Sequence, residues 1–232
     1  MDSLTINPPF TIEEFLAVFA AYNRAIWPMQ MVAYCTGLVV VAALWRKWLQ
    51  AGWIIPVILA VLWACNGIGY HYLHFSTINP LAMGFAFLFV LQALLFVLAA
   101  ISANKLLFVV EQNVRSAAGL CLIVYALLIY PILGILAGHG LMAGPMFGVA
   151  PCPTTIFTIG VLLLTRSRWV PWLSIIPILW SLVGLAAALQ LGIPEDLGLP
   201  IAGATLIAYL LLDAVNARQV REHPSGRHGP MG

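Results

Sequence analysis

Residues 79–102 read NPLAMGFAFLFVLQALLFVLAAIS and carry no charged side chain. A hydrocarbon core of ~30 Å is crossed by about 20 apolar residues in a helix, so this stretch alone predicts a membrane-spanning helix. Of the 232 residues in the chain, 62% are hydrophobic and 8% are charged. In globular domains, roughly 45–50% of residues are apolar and about 25% are charged. We therefore expect an all-α polytopic membrane protein whose partner is the lipid bilayer.

Apolar runs between polar breaks predict seven transmembrane helices, of which the fifth is short. Together they form one domain, residues 27–216. The predicted spans are Trp27–Trp45, Trp53–His71, Asn79–Ser102, Ala117–Ala137, Thr154–Thr165, Pro171–Leu191 and Leu197–Val215.

The distribution of Lys and Arg predicts the orientation, because short cytoplasmic loops are enriched in both residues. With the N-terminus outside, the outer side carries Arg24 alone. The chain is therefore predicted to be N-out and C-in. Its ten Lys and Arg form no surplus that could track a phosphate backbone, so no nucleic-acid partner is expected. The inner side then carries Arg46, Lys47, Lys105, Arg115, Arg166, Arg168, Arg218, Arg221 and Arg227.

The segment before the first span, residues 1–26, has a helix-start signature. Thr11 and Glu14 fit a capping box, and Phe10 and Phe15 occupy the hydrophobic-staple positions. This pattern predicts an amphipathic helix lying in the outer membrane interface. The alternative is that the segment simply continues the first span. At the other end, residues 217–232 are polar and predicted to be a disordered cytoplasmic tail.

Matching strings suggest an internal repeat. Ile54-Ile55-Pro56 follows Lys47-Trp48, and Ile175-Ile176-Pro177 follows Arg168-Trp169 at the same spacing. Spans one to three would then repeat as spans five to seven in a parallel 3+1+3 layout. Some transporters share that layout. Chance similarity between apolar helices is the alternative.

Polar side chains from several segments fall at the outer ends of the spans. Ionisable residues in a membrane are costly and point to function, so we expect His71, His139, Cys152 and Glu195 or Asp196 to line one outward-facing pocket. The full set of pocket candidates is Tyr22, Asn23, Asn66, Tyr70, His71, Asn79, His139, Cys152, Thr154, Glu195 and Asp196.

Three histidines predicted on the outer side, His71, His74 and His139, also raise the hypothesis of a zinc site. His71 and His74 share a helix face, and with His139 and a carboxylate they could hold the ion tetrahedrally. The alternative is interfacial histidines that are hydrogen-bonded to backbone carbonyls. Cys152 likewise has the alternative of a packed small residue in a proline turn. No other cofactor is predicted.

Several strings together resemble a known family. The chain resembles a bacterial family of multi-pass membrane proteins that is catalogued only as a domain of unknown function. The resemblance runs from about Phe10 to Val215 and implies a bacterial inner-membrane protein without an established activity. The strings are Ile26-Trp27-Pro28, Tyr70-His71, Ile78-Asn79-Pro80, Gly138-His139-Gly140, Pro151-Cys152-Pro153-Thr154-Thr155-Ile156-Phe157-Thr158 and Pro194-Glu195-Asp196-Leu197-Gly198.

Three functions stay open from the sequence. The odd span count and the repeat favour a transporter of a small solute or ion. The outer-side histidines favour a zinc-dependent membrane hydrolase, which looks like the ceramidase-and-receptor type in outline but lacks its His-x-x-x-His pair. A non-catalytic accessory subunit is the third alternative. A homo-oligomer is one of the assemblies compatible with the sequence.

Overall fold

A computed structural model describes residues 10–103 and 105–222, without the side chains of residues 141, 142 and 220–222. This part of the chain is predominantly helical. Its one sheet pairs the short strands β1 (Leu107–Phe108) and β2 (Thr165–Arg166) antiparallel. The helices are α1 (Ile12–Ala25), α2 (Met29–Trp45), α3 (Ala51–Cys65), α4 (Ala82–Ile101), α5 (Val114–Val124), α6 (Tyr130–Leu136), α7 (Gly140–Ala143), α8 (Pro151–Leu163), α9 (Val170–Leu191) and α10 (Gly198–Glu222).

Helix α1 begins as its sequence predicts. The Glu14 backbone N–H donates to Thr11 Oγ1 at 3.2 Å, and the Thr11 N–H donates to the Glu14 carboxylate at 2.8 Å. The Phe10 and Phe15 rings stack with centroids 6.0 Å apart. The chain then turns at Trp27-Pro28, which has a cis peptide bond. Because α1 and α2 meet at 85°, α1 does not continue straight into the first span.

Fewer helices are long enough to cross a membrane than the seven spans expected. Within residues 10–103 and 105–222, five helical stretches qualify by length and apolarity, and a sixth is added if the bent pair α1–α2 counts as one span. The predicted span Thr154–Thr165 corresponds to α8, which has only 13 residues. The sequence predicts this span to be the short one, and the residues before Pro151 form a turn-rich loop that is not part of the helix. The five stretches are Ala51–Thr77, Ala82–Ile101, Val114–Leu136, Val170–Leu191 and Pro194–Gln219.

Helix α8 lies at the centre of the protein. Every residue from Pro153 to Leu163 is buried. It packs closely on α5 because two glycines face each other there. A Cβ on Gly160 would lie 2.7 Å from the Gly119 carbonyl oxygen, so only glycine permits this approach.

The loop before α8 is also buried. Phe147, Val149 and Ala150 are at most 4% exposed, and Gly148 has a positive φ of 79°. Irregular backbone inside a membrane domain must be enclosed by protein that satisfies its polar groups. This loop extends the short α8 and is enclosed by α2, α3 and α8.

The two helix triplets that the repeat hypothesis compares share some features and differ in others. Both α3 and α9 contain an internal proline, Pro56 and Pro177. However, α8 packs extensively along α10, whereas α2 makes few contacts with α4. The repeat stays a prediction.

The C-terminal helix extends past the predicted end of the membrane domain. Helix α10 continues to Glu222, because residues 217–222 contain no glycine or proline that would end it. The predicted tail therefore begins as helix, and residues 223–232 lie outside the described part of the chain. Near this end Asp213 pairs with Arg115 at 2.8 Å.

Candidate functional site

A cavity of about 230 Å³ lies between α1, the end of the α3 stretch, the first turn of α8 and α9. Aromatic side chains form most of its wall, and a few polar groups interrupt them. Such a combination is typical of sites for small molecules. The lining residues that carry the argument are Phe15, Tyr70, His71, Cys152, Trp180 and Asp196.

Irregular helix geometry places the polar residues of this region. The α3 stretch widens into a π-helical segment over Asn66–Tyr72, which carries Tyr70 and His71. A second π-helical segment, Tyr125–Ile129, precedes Tyr130. Single π-helical turns occur frequently at functional sites. Both of these segments deliver side chains to the same region.

Three buried polar atoms of the cavity wall have no hydrogen-bond partner, namely both ring nitrogens of His71 and the Tyr70 hydroxyl. The Trp180 indole N–H has the Cys152 thiol beside it, which is a weak acceptor. The side chains of His71, Tyr70 and Trp180 are buried at 0%, 2% and 7% exposure. A buried polar group without a partner costs about 1–3 kcal/mol. A ligand with a polar group could recover part of this cost by forming a hydrogen bond in the cavity.

Aromatic rings hold the imidazole of His71 in place. Its centroid lies 4.7 Å from that of Phe89, 5.1 Å from that of Trp180 and 5.7 Å from that of Phe85, all in edge-to-face arrangements. The ring is therefore fixed by packing rather than by hydrogen bonds.

A buried carboxyl group completes the cavity wall. Asp196 is 2% exposed, and its Oδ1 accepts a hydrogen bond of 2.5 Å from the Tyr130 hydroxyl. The Cys152 thiol lies near enough to interact with the same carboxyl. Asp196 sits in the single 3₁₀ turn Pro194–Leu197 that precedes α10.

The neighbouring carboxyl faces a different partner. Glu195 is fully buried, and its Oε1 lies 2.8 Å from His139 Nδ1. Gly134 leaves room for this pair, because a Cβ there would come within 3.0 Å of Glu195 Oε1. The Glu195 backbone carbonyl accepts from the Tyr125 hydroxyl at 2.8 Å. This pair lies behind the cavity wall rather than on it.

The structure separates the predicted pocket residues into three groups. Tyr70, His71, Asn79, Cys152 and Asp196 line the cavity. Glu195 and His139 form the adjacent pair. The remaining candidates, Tyr22, Asn23, Asn66 and Thr154, are not on the cavity wall.

Most of this third group anchors the buried loop before α8. Asn23 Nδ2 donates to the Gly144 carbonyl and Asn66 Nδ2 to the Gly148 carbonyl, each at 3.0 Å. Thr154 Oγ1 accepts from the Gly148 N–H at 3.1 Å. These polar residues satisfy the backbone of an irregular segment, which explains their burial without a ligand. Tyr22 instead packs its ring against Tyr70 and His74.

The zinc hypothesis finds no support in the geometry. Across residues 10–103 and 105–222, no three His, Cys, Asp or Glu side chains are grouped to hold a metal ion. The His74 ring nitrogen instead lies 2.7 Å from the Gly69 carbonyl oxygen. His139 faces Glu195, and His71 is surrounded by aromatic rings. The alternative of a histidine hydrogen-bonded to a neighbouring backbone carbonyl fits His74, whereas His139 has the Glu195 carboxyl group as its partner. The zinc-dependent hydrolase stays a prediction.

Several residues of the site were missed in the sequence. Trp180 and Tyr130 lie within apolar spans, where aromatic residues are ordinary packing groups. Phe15 and Phe19 lie on α1, which the sequence predicts to lie in the membrane interface rather than against a cavity. No local pattern separates a ring that packs in a core from one that lines a cavity.

Comparison with known proteins places the chain in a family. The model described as "Family of unknown function (DUF6064)" matches residues 12–221, which confirms the resemblance to a family catalogued without a function. No curated protein matches the chain. No solved structure matches it either.

Proposed function

Because the chain belongs to this family of unknown function, whose description assigns no activity, we propose its role from the geometry of the cavity. The protein is a multi-pass protein of the bacterial inner membrane. It binds a small, mostly apolar solute at its outer end and transports that solute.

The proposed topology has seven spans, with the N-terminus outside and the C-terminus inside. The perpendicular orientation of α1 supports it, since a helix in the membrane interface lies across the spans. The basic residues support it as well, because those after α2, α4 and α8 fall on alternate loops. In this topology α8 with the buried loop before it is the fifth span, and it needs no lipid contact because its residues are enclosed.

The observation that carries the proposal is the set of unpaired polar atoms in an aromatic cavity. The cavity volume of about 230 Å³ exceeds the ~150 Å³ of an engineered cavity that binds benzene. A ligand with an apolar body would fill the space between the rings. Its polar group would satisfy His71, Tyr70 or the Trp180 indole N–H.

Helix irregularities support transport as well as binding. Pro56 and Pro177 remove backbone hydrogen bonds inside α3 and α9. Helix α9 lines the cavity, and α3 leads into the π-helical segment that carries Tyr70 and His71. Beneath the cavity, Trp63 and Phe89 are fully buried with ring centroids 4.4 Å apart. For a solute to reach the inner side, this layer has to separate.

Binding is tested with 2-phenylethanol, whose phenyl ring and single hydroxyl match the cavity. Calorimetry on the purified protein in lipid nanodiscs should show one site per chain. Trp180→Phe should weaken binding about tenfold, because the indole N–H is lost while the ring remains. Trp172→Phe is the matched control, since Trp172 lies on the same helix and is 62% exposed. Absence of binding, or equal effects of both variants, would reject the site and leave the accessory-subunit reading.

Transport is tested by accessibility from the inner side. Ala93 lies one helical turn beyond Phe89 on α4 and is 6% exposed. In a chain without its four native cysteines, Ala93→Cys should react with a membrane-impermeant maleimide applied from the inner side when 2-phenylethanol is present. Leu94→Cys, on the exposed face of α4, controls for general reactivity. Binding without any change at position 93 would contradict transport.

A further inference from the structure

The carboxyl group on the cavity wall has no positively charged partner. Other carboxylates in the structure do have such partners. Glu195 is paired with His139. The exposed Glu111 is paired with Arg166, and the exposed Asp213 with Arg115. Among the described residues, Asp196 forms no ion pair with any Lys, Arg or His. In the described part of the chain, no Lys or Arg lines the cavity. A buried carboxylate is stable only when paired or hydrogen-bonded, and Asp196 has just the hydroxyl of Tyr130 and the thiol of Cys152.

The cavity that Asp196 lines is walled mostly by aromatic side chains. Phe15 and Phe75 have ring centroids 6.0 Å apart, and Phe85 and Trp180 have centroids 5.1 Å apart. The faces of Trp, Tyr and Phe attract cations, most strongly when water is excluded. Aromatic rings around a single carboxylate therefore form an environment that is electrostatically complementary to an organic cation.

From this juxtaposition we propose that the ligand of the cavity is an organic ammonium ion. Its nitrogen donates hydrogen bonds to the Asp196 carboxylate, and its apolar body lies between the rings of α1, α4 and α9. The inference rests on the proposed binding function and names the substrate class of that site. The positive charge of the ligand supplies the partner that Asp196 lacks within the protein.

The other titratable groups of the wall are compatible with this ligand. His71 and Tyr70 have unpaired nitrogens and an unpaired hydroxyl, which can accept from an ammonium group or from a hydroxyl on the ligand. The Cys152 thiol interacts with the same Asp196 carboxyl group that the Tyr130 hydroxyl contacts. The Glu195–His139 pair behind the wall adds a second carboxylate whose charge is opposed by a histidine. The arrangement disfavours an anionic ligand, which would be placed beside Asp196.

The test compares three probes with one phenyl ring and different charges. These are 2-phenylethylamine, the neutral 2-phenylethanol and the anionic 3-phenylpropanoate, measured by calorimetry at neutral pH in the same nanodiscs. In the natural protein the amine should bind about tenfold to a hundredfold more tightly than the alcohol, because a hydrogen bond to a charged group is stronger than one to a neutral group. The anion should bind most weakly.

Substitution of the carboxyl group identifies the cause of this preference. Asp196→Asn keeps the shape of the side chain and an oxygen for the Tyr130 hydroxyl. It should abolish the preference for the amine, so that 2-phenylethylamine and 2-phenylethanol bind the variant with similar affinity. Thermal unfolding of the purified variant shows whether it is folded. Asp213→Asn removes the same charge at the far end of the protein and should keep the preference.

The outcomes separate the two proposals. If the alcohol binds as tightly as the amine to the natural protein, the ammonium assignment is wrong and the binding function stands. If none of the three probes binds, both fail. A preference for the amine that survives Asp196→Asn also overturns the assignment. If that variant fails to fold, the comparison of the three probes on the natural protein still decides whether the cavity prefers an ammonium ion.

Discussion

At the scale of single residues, two glycines set the distance between the central helices. Gly119 on α5 and Gly160 on α8 each leave no room for a Cβ, which would lie 2.8 Å or 2.7 Å from the other's carbonyl oxygen. We expect Gly160→Ala to lower the free energy of unfolding by about 1–3 kcal/mol, the usual cost of overpacking. Thermal unfolding in detergent, followed by tryptophan fluorescence, measures the change.

A glycine outside this contact provides the matched control. Gly84 lies in α4, and a Cβ there would meet no atom within 4 Å. Gly84→Ala should leave stability unchanged or raise it by up to ~1 kcal/mol, since alanine is the better helix former. If both variants unfold at the same temperature, the close approach of α5 and α8 does not contribute to stability.

The residue types of the cavity wall were easier to predict than the hydrogen-bond partners of the buried polar side chains. The sequence identifies His71, Cys152 and Asp196 as unusual polar residues in apolar surroundings, and the fold brings all three to one cavity. It equally identifies Asn66, whose amide instead bonds the Gly148 carbonyl. A buried amide is satisfied by any acceptor within reach, and that acceptor lies far along the chain. The partner is fixed by tertiary packing, which no local pattern reveals.

At the scale of elements, α1 covers the cavity, and its stability depends on its N-cap. Phe15 and Phe19 of α1 line the cavity. Thr11→Ala removes the side-chain oxygen that accepts from the Glu14 N–H, which costs about 1 kcal/mol for a typical cap. Hydrogen exchange of the α1 amides should therefore accelerate about fivefold, and binding of 2-phenylethanol should weaken.

The control for this variant is another threonine. Thr205 is exposed and bonds only the Ile201 carbonyl of its own helix. Thr205→Ala should leave exchange in α1 unchanged. Unaltered exchange in Thr11→Ala would mean that tertiary contacts alone hold α1.

Elements with strong local signals were predictable, and elements defined by tertiary context were not. The capping box and staple of α1 are present as the sequence indicates. The short fifth span predicted from the sequence corresponds to the 13-residue helix α8, but the burial of the loop before it was not predictable. Apolar composition indicates that a segment avoids water, in lipid or in protein, and α8 is buried within the protein. The π-helical segments carry no recognisable signal in the sequence.

At the scale of the whole molecule, the proposed topology predicts the location of both ends. A cysteine introduced by Ser3→Cys should react with a membrane-impermeant maleimide added outside intact cells, and a reporter fused after Gly232 should be active in the cytoplasm. The basis is the charge asymmetry of the loops. The unmodified chain, with its four cysteines, provides the background. Labelling of the fused C-terminus from outside would contradict the odd number of spans.

The glycine contact between α5 and α8 has a consequence for any motion of the protein. Two backbones that touch without intervening side chains cannot rotate about their axes or slide past one another without collision. The pair is therefore the stationary part of the structure, and opening of the cavity falls to the helices around it. Asp196 directly precedes α10, Trp180 lies on α9, and His71 lies on the π-helical segment that follows α3. The proposed ligand would therefore be released by displacement of these three elements against one fixed pair.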